Sequence, residues 1–414
     1  MYVYDRFERY VTFHTSSNPK SGLHPSFEGE FDLANYLQYE MVELGLKDVF
    51  VDRNAYVYGC LPATPGYENA VPIGFIAHMD TSDEAPGKNV KPMLHQNYDG
   101  KDIIMNPIAD KSGEKRVMRV ADFPFLEKFR GETVVTSDGT TLLGADDKAG
   151  IAEILTAMDR IISKKLPHGE IWLAFTPDEE IGEGADFFDF DRFKAKFAYT
   201  VDGGDVDCIE YENFNAASAN IVIEGRSVHP GDAKGVMINA SNLAMELHSM
   251  LPADERPETT EGREGFFHLI EMAGRVSEAR LEYIIRDHDR ERFEARKGLL
   301  QAAIDEINKR YGEGTVKAEI KDSYYNMLEK IKPHMHLVDN AAKAIRNVGL
   351  EPKIVPIRGG TDGARLSFMG LPCPNLGTGG YNFHGLYECT TIQRMEKAVD
   401  IIVNIIESYS KMKN

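Results

Sequence analysis

Residues 72–80 read PIGFIAHMD, and residues 171–180 read IWLAFTPDEE. In each stretch a short apolar run ends in residues that can do chemistry: His78 and Asp80 in the first, Glu179 and Glu180 in the second. Unbroken apolar runs of this length are the pattern of strands buried on both faces, as in a parallel sheet. The carboxyl ends of such strands are where open α/β sheets hold their ligands. A histidine and three carboxylates at two such ends predict a metal site with its own general base.

Outward from these runs, the first half of the chain alternates short apolar segments with amphipathic ones, the rhythm of an α/β domain. The pattern predicts helices over 6–12, 26–46 and 147–164, and strands over 71–77, 171–175 and 197–201. Gly45 supplies a C-cap for the second helix. Ile151, Ile154, Leu155 and Met158 form one apolar face on the third. After about Asn213 the character changes. A strand at 217–224, a helix at 241–251, two strands at 266–273 and 282–287 around Gly274, a charged helix at 289–310 and a strand at 315–320 come in turn. That is the ferredoxin-like split βαβ order. From about Met327 the α/β rhythm returns, with a helix over 337–348, a strand at 353–357 and a closing helix over 391–411 capped by Thr390 or Thr391. The expected architecture is an α/β catalytic domain, with a mixed, largely parallel sheet sandwiched by helices. It is built from 1–213 and 327–414 and interrupted at 214–326 by an α+β ferredoxin-like domain.

At 414 residues, two domains are the natural expectation. A formal net charge of −19 repels phosphate backbones and anionic lipid, which argues against nucleic-acid and membrane partners. Cys60, Cys208, Cys373 and Cys389 are scattered, with no CxxC spacing, as suits a reducing cytosol. The opening MYVYDRFERY lacks the apolar core of a signal peptide, and no apolar run approaches the ~20 residues that span a bilayer. A cytoplasmic protein is expected.

Taken singly, each candidate has an ordinary reading. A lone His-x-Asp pair fits a structural histidine with its partner. In Gly144–Gly150 (GADDKAG) an aspartate at a helix start is a ready N-cap, though two adjacent aspartates let one cap and the other project. Glu179 and Glu180 could be a solvated turn, and His384, in the loop GGYNFHG, ordinary surface. Asp202 ends a strand-like run before two glycines (YTVDGG). Together, His78, Asp146, Glu180, Asp202 and His384 are two imidazoles and three carboxylates. Three clustered carboxylates repel unless cations sit among them. Two zinc-sized dications resolve this if Asp146 bridges them, leaving each metal one histidine and one private carboxylate. Mixed nitrogen and oxygen donors favour zinc over magnesium, with manganese or cobalt as substitutes.

The segments FIAHMDTSDEAPG, LLGADDKAG, FTPDEEIGEGADFF, YTVDGG, SVHPGDAKG and IRGGTDGARLSFMGLPCPNLGTGGYNFHG together resemble the peptidase T family of aminotripeptidases. That family is part of the co-catalytic zinc group that also holds carboxypeptidase G and aminoacylase. The resemblance runs over essentially the whole chain. It implies that His78, Asp146 and Asp202 hold one zinc, that Asp146, Glu180 and His384 hold the other, that Asp80 supports His78, and that Glu179 is the general base. It implies that the inserted domain is a lid and a homodimer surface. It also makes His229 the counterpart of a histidine that stabilises the tetrahedral intermediate. Arg286 and Arg358, with Asn239 as a weaker candidate, would bind the carboxylate of a small peptide substrate. The expected function is removal of the N-terminal residue from tripeptides by metal-activated water. The alternatives are a di-zinc deacylase of N-acyl amino acids and a catalytically silent binding protein. A cysteine hydrolase pairing Cys389 with His384 lacks any nucleophile-elbow context.

Overall fold

The computed structural model describes residues 1–105 and 115–413. The chain forms two compact units. One comprises Met1–Tyr211, Lys330–Val355 and Thr361–Asn414, and the other Glu212–Glu329 with Pro356–Gly360.

In the first unit, eight strands make one sheet. Their spatial order is Lys47–Val51, Val57–Leu61, Ile171–Thr176, Ile73–His78, Phe197–Gly203, Asn375–Gly377, Cys208–Glu210 and Lys353–Ile354. Four neighbouring pairs are parallel and three antiparallel, so the sheet is mixed. The two apolar runs lie side by side at its centre, wholly buried, with His78 in register with Thr176. Because the two strands are parallel, Met79–Asp80 and Pro177–Glu180 emerge at the same end of the sheet.

Both faces of the sheet are covered. The Ala145–Lys164 helix packs on the Ile73–His78 strand and against the Val3–Tyr10 and Ile392–Ser410 helices. Its Ile151, Ile154, Leu155 and Met158 are all buried. At about 1.5–3 kcal/mol per fully buried side chain, this stripe holds the helix firmly enough to fix where its first turn lies. Tyr56, Tyr58, Ile76, Trp172, Phe188, Phe193 and Leu366 form another buried cluster of the same unit.

Element ends show where local chemistry overrode pattern. The second helix begins at Glu30, not 26; ahead of it the Ser26 amide donates to both carboxylate oxygens of Asp178 (3.0 and 2.8 Å). Gly45 adopts φ +89° just past that helix, a conformation suited to glycine. Thr391 caps Ile392–Ser410 by accepting a hydrogen bond from the Arg394 amide (3.1 Å). Of the strand expected at 353–357, only Lys353–Ile354 joins the sheet.

The second unit runs Asn215–Glu224, Ala240–Ser249, Phe266–Gly274, Glu278–Asp287, Arg290–Tyr311 and Val316–Tyr324. Its strands lie in the spatial order second, third, first, fourth, all antiparallel, the ferredoxin-like arrangement. Ile221, Ile223, Leu243, Leu247, Leu281, Phe293 and Ile304 fill its core. Among the described residues, no helix is long and apolar enough to cross a membrane.

Candidate metal centre

His78 is the last residue of its strand, and its ring is buried. Nδ1 faces Asp80, 3.1 Å from the carbonyl oxygen and 3.3 Å from Oδ1. That leaves Nε2 to point at carboxylates: Asp146 Oδ1 at 2.9 Å and Asp202 Oδ1 at 3.4 Å. Asp80 does a second job. Its two oxygens accept hydrogen bonds from the backbone amides of Glu179 (3.0 Å) and Glu180 (3.1 Å). One buried carboxylate thus orients the histidine and pins the turn that carries the glutamates.

Neither aspartate of the Asp146-Asp147 pair caps its helix. Gly144 sits at the N-cap with φ +80°, and both aspartates depart from helical backbone angles. Asp147 accepts a hydrogen bond from the His78 amide (3.1 Å), while Asp146 turns toward the imidazoles. The amides at this helix start are bound instead by Glu388. Its Oε2 accepts from Leu143 and Gly144 (both 2.7 Å) and its Oε1 from Asp146 (2.9 Å). Gly150 lets the helix come down on the Phe197–Gly203 strand that carries Asp202, since an added Cβ there would overlap the Val201 carbonyl oxygen.

The remaining two groups close the arrangement. Glu180 Oε1 accepts a hydrogen bond from the Ser82 amide (3.0 Å) and Oε2 lies 2.9 Å from His384 Nε2. His384, held at φ +61°, places the same Nε2 3.4 Å from Asp146 Oδ2. Asp146 therefore presents one oxygen to each imidazole. Glu179 stands with His78 and Asp202, their nearest ligand atoms all within 4.8 Å of one another.

Two like charges about 4 Å apart repel by about 4 kcal/mol at an effective dielectric near 20. This pocket responds accordingly. Burial, and for Glu180 the neighbouring Asp146, pushes the Glu180 and Asp202 carboxyls up to about 7. Burial and Asp202 push Glu179 and Asp147 well above the usual carboxylate range. Hydrogen bonds to Asp146 and Glu180 raise His384 to about 11. Burial disfavours a charged His78, but Asp202 and Asp146 outweigh it and its pKa rises too. Asp146 alone moves down: burial opposes its ionisation, and the two imidazoles overcome that. The pocket is short of positive charge, and the donor spacing suits a cation. Donors bonded at about 2.1 Å to one tetrahedral ion lie about 3.4 Å apart, and the four nitrogen–oxygen separations run from 2.9 to 3.4 Å. The donors that close on one another are His78 with Asp146 and Glu180, and His78 with Glu179 and Asp202, while His384 reaches Asp146 and Glu180.

Glu388 is the residue that pattern reading passed over. Its signal is slight: one carboxylate among apolar neighbours in His384–Thr390 (HGLYECT), four positions after His384. The other sequence candidates lie in the second unit. His229 is exposed and accepts a hydrogen bond from the Gly231 amide (3.1 Å). Asn239 caps the Ala240–Ser249 helix. Arg358 donates to Gly262, Glu264 and Thr260 oxygens (2.8–3.3 Å). Arg286 donates from Nη1 to the Arg358 carbonyl (2.9 Å), and its buried Nε has no hydrogen-bond partner.

Residues 211–315 match the family described as the peptidase dimerisation domain. Across 412 residues, and 99% of each chain, the protein is 57% identical to a Peptidase T from Clostridium novyi. A Peptidase T from Vibrio parahaemolyticus is 51% identical over 411 residues, again 99% of each. Among solved structures, an aminopeptidase PepT from Bacillus cereus shares the fold, with a TM-score of 0.78 at 23% identity over 99% of this chain and 98% of that one. A Bacillus subtilis protein described as a dinuclear metal-binding peptidase of the M20 family matches with a TM-score of 0.66 at 13% identity, over 99% and 98% of the two chains. On full-length identity above one half, the chain belongs to the peptidase T family.

Proposed function

We propose that the chain is a two-zinc aminopeptidase that removes the N-terminal residue from tripeptides in the cytoplasm. The observation that carries this reading is Asp146, with Oδ1 beside His78 and Oδ2 beside His384. The Peptidase T name of relatives more than 50% identical over the whole chain supports the substrate class. His78, Asp146 and Asp202 would hold one zinc and Asp146, Glu180 and His384 the other, with Mn2+ or Co2+ able to substitute. Bound there, the ions supply Lewis acidity that acidifies water and polarises the scissile carbonyl.

The protein's own groups do the rest. Glu179 takes the proton of the attacking water and passes it to the leaving amine. Asp80 fixes the His78 tautomer through Nδ1 and, through the two amides it accepts, keeps Glu179 and Glu180 in separate roles. His229, Asn239, Arg286 and Arg358 serve substrate binding. Of the two arginines, Arg286 is the better carboxylate ligand, because the Arg358 guanidinium is already engaged by the 260–264 segment. Residues 1–213 and 327–414 act as the catalytic domain and 214–326 as a lid through which a homodimer forms. The match to the peptidase dimerisation domain supports that pairing.

Zinc-loaded protein assayed side by side on free tripeptides, free dipeptides and N-acyl amino acids tests the substrate. Tripeptides are expected to be cleaved fastest. Faster hydrolysis of blocked amino acids would replace the aminopeptidase reading with a deacylase.

A further inference from the structure

Next to the turn that carries Glu179 and Glu180 lies a second group of donors that the reaction does not use. His24 Nδ1 is 3.1 Å from Asp178 Oδ2 and 3.6 Å from Glu183 Oε2. These three ligand atoms all lie within 4.8 Å of one another. The His24 side chain is only 9% exposed and Asp178 is fully buried. Despite this proximity, neither ring nitrogen of His24 makes a hydrogen bond. A buried polar group left unsatisfied is destabilising. An imidazole nitrogen and two carboxylate oxygens that approach one point without hydrogen bonding are better matched to a cation than to one another. The observed 3.1 and 3.6 Å bracket the ~3.4 Å expected between donors on one tetrahedral ion.

We propose that His24, Asp178 and Glu183 form a third divalent-cation site, separate from the paired centre. One nitrogen and two oxygens suit zinc, manganese or cobalt over calcium or magnesium. Three protein ligands leave a coordination position open, and the half-exposed Glu183 is the way in. Both carboxylate charges are neutralised by one dication. The site has a structural consequence. Asp178 binds the Ser26 amide through both oxygens and directly precedes Glu179, so a cation here ties the 24–26 segment to the glutamate turn.

The test is equilibrium dialysis of metal-stripped protein against Zn2+, with zinc per chain counted by mass spectrometry. Wild type, Glu183→Gln, His24→Gln and Asp146→Asn are compared, the last also combined with Glu183→Gln. Glu183→Gln and His24→Gln should each hold one zinc fewer than wild type, and Glu183→Gln should remove one from the Asp146→Asn protein as well. Glu183 is exposed enough that its replacement leaves folding alone, which circular dichroism checks. Equal zinc in wild type and Glu183→Gln overturns the third site. Equal zinc in wild type and Asp146→Asn would instead count against the paired centre, so the two failures read differently.

Discussion

Replacing Glu388 by glutamine keeps the shape of a buried side chain and removes one acceptor from a three-amide cradle. In the native protein Oε2 takes the Leu143 and Gly144 amides and Oε1 takes that of Asp146. A glutamine oxygen can keep the first two, but its NH2 then faces the Asp146 amide, donor against donor. A hydrogen bond to a charged acceptor contributes about 1.5–3 kcal/mol. At about 1.4 kcal/mol per tenfold, full transmission to the position of Asp146 weakens metal binding by about 10- to 150-fold. Residues that orient metal ligands from behind typically change affinity by about 10- to 100-fold. Competition against a chromophoric chelator measures the affinity directly, and circular dichroism checks that the variant is folded. A folded Glu388→Gln protein with wild-type metal affinity would refute the claim that this carboxylate sets where Asp146 stands.

The same geometry carries other expectations. Glu179→Ala should retain its metal but lose about 10²- to 10⁴-fold in kcat, the usual worth of a positioned base; unchanged turnover removes Glu179 from that role. Gly150→Ala should lower stability by about 1–3 kcal/mol in urea denaturation, because its Cβ has no room beside Val201, and an unshifted midpoint would show that the helix can lift away freely. Burial raises the Glu388, Glu210 and Asp362 carboxyls to about 7, above ordinary unfolded values near 4. Metal-free folded protein therefore binds more protons than the unfolded chain in this window. The stability these three groups contribute should be full below about pH 4 and fall as pH rises through about 7. Urea midpoints that climb with pH over that window contradict these assignments.

Much of the fold was legible because its central strands are apolar throughout. Ile73–His78 and Ile171–Thr176 can be buried on both faces, so their sequence leaves little else to expect. The ferredoxin-like order was legible from element succession alone. The short strands Asn375–Gly377 and Cys208–Glu210 were not, because three residues carry no period. Residues 26–29 read as helix, but the helix starts at Glu30 and the Ser26 amide is bound by the distant Asp178 carboxylate. At the site, the residues that end strands could be picked out one by one. Their mutual distances could not, since His78, Asp146 and His384 meet only through tertiary packing. Capping propensity pointed the wrong way at Asp146 and Asp147, because Glu388 from far along the chain satisfies the amides that a cap would have bound. A buried glutamate that binds only backbone leaves almost no trace in sequence.

The central claim is that one aspartate serves two cations. Anomalous diffraction at the zinc edge, from crystals of the zinc-loaded protein, tests it most directly. Two strong peaks flanking Asp146 are predicted, one touching His78 and Asp202 and the other His384 and Glu180. A single peak, or a pair that Asp146 does not touch, would contradict the account.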